Sequence, residues 1–129
     1  MKWLQELKPW LLAAGMAVVG ATAWADGARI AVAAEAAHAE APVSSVAARA
    51  PFILIFDATG AMEESHPNPV AANPGGAGPA LARWLAEKKV GTLIAGDFGA
   101  KLSPALEERK IRSVRASGPA AQAAKKALK

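Results

Sequence analysis

Two glycine-bearing turns and one arginine carry the chemistry most readily read from this chain. Gly75-Gly76-Ala77-Gly78 stands just before a helical pattern. Glycine lets the backbone come close to a guest, and the N–H groups at a helix start attract an anion. Gly96-Asp97-Phe98-Gly99 forms a second such turn, with Lys101 close behind. Arg49 adds a planar fork of donors on a third loop. Arg49, Gly75, Gly76, Gly78, Gly99 and Lys101 together suit a doubly charged or bulkier anion. The same glycines also serve tight turns and close helix packing, so the pattern alone leaves both roles open.

Metal ligands and nucleophiles are sparse. Cysteine is absent, which excludes disulfides, thiolate-held zinc and iron–sulfur centres, and cysteine nucleophiles. The chain has two histidines. His66 precedes Pro67, beside Glu63 and Glu64, and His38 follows the first strand; each is an optional metal ligand or simply an exposed loop histidine. Glu35, Asp57 and Asp97 are the carboxylates that two-metal chemistry would need to gather. Asp57, however, closes a strand expected to run the other way. No Ser-His-Asp order, nucleophile elbow or Walker loop is present, so the chain reads as non-catalytic.

The elements that would position these groups follow from apolar patterning. Arg29–Ala34 is a short strand of small residues. Phe52–Asp57 is a continuous apolar run of strand length, expected to be buried on both faces. Ala61–His66 returns as a weaker strand. Pro67–Pro79 is a proline- and glycine-rich loop, and Ala80–Lys89 is helical, with Leu81, Trp84 and Leu85 on one face. Val90–Ala95 is a further buried strand. Ser103-Pro104 predicts a helix cap and a first-turn proline, opening a helix through Arg109. Ile111–Val114 is the last strand, and Ser117-Gly118-Pro119 opens an alanine-rich terminal helix. This order predicts a single small α/β domain: a mixed five-stranded sheet with about three helices. Strands one, three, four and five share a direction. Their carboxyl ends share one edge, where 35–51, 67–78, 96–101 and 115–118 converge as loops.

The amino-terminal 25 residues read as a secretory leader: Lys2 and Lys8, an apolar run Leu11–Ala21, and Ala23-Trp24-Ala25 as a cleavage site. The run is shorter than the ~18 residues of a membrane span. Residues 1–25 are therefore expected to be removed and 26–129 to form the domain, periplasmic or secreted, with no stable membrane span. Charge is uneven beyond the leader. Residues 26–82 hold two arginines against six acids, a balance of −4. Residues 83–129 hold eleven bases against four acids, a balance of +7. No basic stripe is interleaved with aromatics, so nucleic acid is not an expected partner.

Asn68-Pro69, Gly75-Gly76-Ala77-Gly78, Leu93-Ile94-Ala95-Gly96 with Phe98-Gly99, and Ser117-Gly118 before the last helix occur in an order that resembles the dinitrogenase iron–molybdenum cofactor biosynthesis family. Arg29-Ile-Ala-Val and Arg49-Ala-Pro-Phe extend the resemblance forward. It implies a ribonuclease-H-like fold, and a carrier of an anionic metal–sulfur cofactor or its precursor (molybdenum with iron or copper), held without covalent attachment. A cofactor donor or acceptor protein is the implied partner. The chain departs from the family at one place: where relatives have Ser-x-His-Phe-Gly-Arg-Ala, it has Ser44-Ser45-Val46-Ala47-Ala48-Arg49-Ala50. Val46 stands at the histidine position. The alternative expectation is a non-catalytic interaction module that keeps the fold without the cluster and docks an acidic partner through its basic half.

Overall fold

The computed structural model describes residues 29–73 and 75–128. The expected leader lies outside them. Five strands, β1 (Arg29–Ala34), β2 (Phe52–Phe56), β3 (Met62–Pro67), β4 (Val90–Ala95) and β5 (Arg112–Arg115), form one sheet in the order β3-β2-β1-β4-β5. β1 runs parallel to β4, and β4 to β5; β2 is antiparallel to both β1 and β3. Three helices, α1 (Ala77–Glu87), α2 (Gly99–Glu108) and α3 (Ala120–Ala127), complete the mixed α/β domain. The expected single small α/β domain, a mixed five-stranded sheet with three helices, is what forms.

The continuous apolar run of β2 explains how the sheet is clothed. Alternate side chains point to opposite faces of a strand. Ile53 and Ile55 join Ala31, Ala33, Leu93 and Ala95 beneath α1 and α2, where Leu81, Leu85, Leu102 and Leu106 close the layer. Leu54 and Phe56 join Ile30, Val32 and Ile94 on the other face, under Ala120, Ala123 and Ala124 of α3. Burying one such branched or aromatic side chain stabilises by roughly 1.5–3 kcal/mol. β3 is an edge strand and is polar, with Glu63, Ser65 and Pro67 exposed, which suits an edge that must not recruit further strands.

Both helices beside the glycine turns begin earlier than the sequence suggests. α1 starts at Ala77, three residues before the expected Ala80, so Gly78 and Pro79 are helical. Proline is tolerated there because the first-turn N–H groups have no intrahelical partner. α2 starts at Gly99 and takes in Ser103-Pro104, which is neither its cap nor its first turn. The proline costs one internal bond, and burial of Leu102 and Leu106 on one face offsets that loss.

The long segment between β1 and β2 is ordered by backbone bonds across the carboxyl edge of the sheet. Ser44 N–H donates to Ala33 and its carbonyl accepts from Gly96; Ala47 N–H donates to Asp97. Val43 N–H donates to Gly118, while Ala120 and Ala121 donate back to Ala41 and Ala39. The segment ends in a 3-10 turn, Ala47–Arg49.

Candidate functional site: an anion-type cleft at the carboxyl edge

Three backbone segments meet at this edge and enclose a cleft of about 310 Å³, lined by Val46, Ala48 and Arg49, by residues 75–78, and by residues 98–102. Arg49, Gly75, Gly76, Gly78, Gly99 and Lys101 all lie on its walls. β1 and β4 end here, and the right-handed crossovers send α1 and α2 away from the same edge. Two helix starts therefore face one opening. Ala77, Gly78, Gly99, Ala100 and Lys101 occupy the first helical positions, where N–H groups have no carbonyl within their own helix.

Gly78 brings the two helix starts together. A Cβ on Gly78 would stand 2.9 Å from the backbone nitrogen of Leu102, closer than real side chains approach. Gly76, which caps α1, has φ +70°, a left-handed conformation that glycine adopts without cost.

The electrostatics have one sign. Arg49 and Lys101 are the ionisable residues of the lining, which includes no carboxylate, imidazole or thiol. The Arg49 guanidinium is also structural: Nη1 donates to the carbonyls of Ala71 (2.9 Å) and Asn73 (2.8 Å), tying the 3-10 turn to the loop that leads to Gly75. The remaining wall is apolar. Phe98 is buried at 6% exposure, while Val46 stays 42% exposed.

The structure does not bring the histidines to this lining. His38 is exposed on the segment after β1. His66 lies on β3, with Nε2 2.6 Å from Glu64 and its ring edge-on to Trp84 at 5.2 Å. There it joins an ion-pair network missed by the sequence reading. Arg29 reaches Glu63 (3.0 Å), Glu64 (2.6 Å) and the Lys88 carbonyl (2.7 Å), and Lys88 Nζ lies 3.4 Å from Glu64. The hydrogen bonds from His66 and Arg29 hold the Glu64 carboxyl well down, to about 2.

The three candidate carboxylates stay apart. Asp57 lies at the opposite edge and accepts from Thr59 and Ala61, which lower its pKa. Asp97 accepts from the Phe98 N–H and pairs with Arg115 at 3.3 Å. Glu35 is exposed. Among the described residues no three or more of His, Cys, Asp and Glu gather as a metal site, and no helix is long and apolar enough to cross a membrane.

Fold and cleft define a small α/β protein with one cleft walled by two helix starts, Arg49 and Lys101. The dinitrogenase iron-molybdenum cofactor family profile matches residues 28–129, and the chain belongs to that family. Among solved structures it is similar to the apo form of the orange protein from Desulfovibrio gigas, with 29% identity, a TM-score of 0.71, and coverage of 78% of this chain and 86% of that one. It is also similar to a NifB-like protein from Thermotoga, with 28% identity, a TM-score of 0.65, and coverage of 78% and 86%. No curated protein matches.

Proposed function

We propose that this domain takes up a preassembled, anionic metal–sulfur cofactor or precursor in the cleft and carries it without covalent attachment, binding rather than transforming it. The observation that carries this reading is the convergence of Arg49, Lys101 and two helix starts on one cleft whose lining offers no ligating side chain. Such a cargo brings its own sulfur ligands, so a protein without cysteine suits it. Its negative charge would meet the guanidinium, the ammonium and the helix-start amides. Family membership supports a cargo related to the iron–molybdenum cofactor, and copper in place of iron is the variant that the proposal also admits. The cargo's donor and acceptor would be other proteins.

Anaerobic incubation with tetrathiomolybdate and copper(I), followed by desalting, metal analysis and visible absorbance, tests the reading. Retained colour with stoichiometric molybdenum supports it; a colourless, metal-free protein overturns it. Export is a further part of the proposal, resting on the leader-like composition of residues 1–25. Amino-terminal sequencing of protein from its own host should begin at Asp26.

A further inference from the structure

Asn68 is one of two buried polar residues among those described, the other being Ser44. It is not part of the cleft lining. Its Nδ2 lies within donating distance of three carbonyls, those of Ala50 (2.9 Å), Ala48 (3.2 Å) and Ala47 (3.4 Å), and its Oδ1 accepts from the Val70 N–H (3.0 Å). Its own N–H donates to Pro51. Asn68 therefore grips the 3-10 turn that carries Arg49. Arg49 in turn grips Ala71 and Asn73 of the segment that begins with Asn68 and leads to Gly75. Each segment is held by a side chain of the other.

We infer that Asn68 is a positioning residue that acts on a bound anion through Arg49, by fixing the turn that aims the guanidinium. This rests on the carrier reading and deepens it. A carboxamide suits the place because it offers N–H groups to the bunched carbonyls and an acceptor to Val70 in one plane. An aspartate there would turn a negative oxygen toward three carbonyl oxygens. A leucine would remove the donor those oxygens share, leaving Ala47 only the N–H of Ala50. Neither change alters the cleft lining itself, so an effect on binding has to pass through the turn.

The experiment is a double-mutant cycle in the full chain, with tetrathiomolybdate as the probe. In the presence of Arg49, Asn68→Ser should weaken binding about tenfold, and in an Arg49→Ala background by about twofold or less, because coupled residues are not additive. Equal losses in both backgrounds overturn the inference and leave the carrier reading standing. A wild-type protein that takes up no probe overturns the carrier reading itself. Nuclear magnetic resonance of the probe-free protein supplies a readout independent of cargo. In Asn68→Ser, the Arg49 Nη1 hydrogens should exchange faster and the amides of Gly75 to Gly78 should shift, with Val32 and Leu93 amides unchanged. Unmoved Arg49 signals overturn the inference. Asn68→Asp should show the same pattern more strongly; if it unfolds, Asn68→Ser carries the test.

Discussion

Arg49 joins two roles that sequence alone keeps separate. It lines the cleft proposed to take an anion, and its Nη1 holds two carbonyls of a neighbouring loop. Charged hydrogen bonds contribute about 1.5–3 kcal/mol. Arg49→Ala should therefore weaken tetrathiomolybdate uptake by roughly 10- to 100-fold in an absorbance titration. Arg49→Lys should recover only part of this, since an ammonium cannot reproduce the planar fork. Glu64 sets a pH dependence of a different kind. Its folded pKa is depressed, from 4.5 to about 2. The stability it contributes is therefore present above pH 4.5 and lost as pH falls toward 2. Denaturant midpoints measured across that window should fall, and should fall less in Glu64→Gln. Arg49 was legible in the sequence because its neighbours and topology marked an edge loop. Asn68 was not: an Asn-Pro pair predicts a turn but says nothing of which carbonyls meet its amide.

Among the elements, α1 and α2 matter most because their starts share one opening. Gly78 sets their approach, and a methyl group there would meet Leu102 backbone at 2.9 Å. Gly78→Ala should cost about 1–3 kcal/mol in chemical unfolding, the usual penalty of overpacking. It should also push the two helix starts apart and weaken anion uptake. The strands were readable because β2 is apolar on both faces and β4 is bounded by turn residues. The start of α2 was misread because Ser103-Pro104 imitates a helix opening. Apolar packing of Leu102 and Leu106 overrides that local signal. The ordering of residues 35–46 could not be read, since many of its bonds are backbone pairings with Gly96, Gly118, Ala120 and Ala121, far along the chain.

Across the whole molecule, the helices begin at the cleft edge and end at the opposite one. Lys88 and Lys89 follow α1, Arg109 and Lys110 follow α2, and Lys125 and Lys126 lie in the last turn of α3. Cations at helix ends complement the negative pole of the helix, so much of the basic excess in the second half has a reason within the fold. Both Lys89 and Lys110 take left-handed conformations, with φ of 64° and 59°, as residues that stop a helix. The cleft edge gains positive potential from the helix starts as well as from side chains. Binding of a doubly charged probe should weaken as salt rises, since 0.1 M salt screens exposed charges beyond ~10 Å. A titration series in potassium chloride reads this slope, and Lys101→Ala should flatten it. The bonds from Val43 to Gly118 and from Ala120 to Ala41 also set an order of events. A ribosome delivers residue 43 long before residue 118, so the segment between β1 and β2 gains these anchors only when the tail of the polypeptide has emerged. A chain that stops short of residue 118 lacks those anchors, and its 35–46 segment should exchange its amides faster than in the whole molecule.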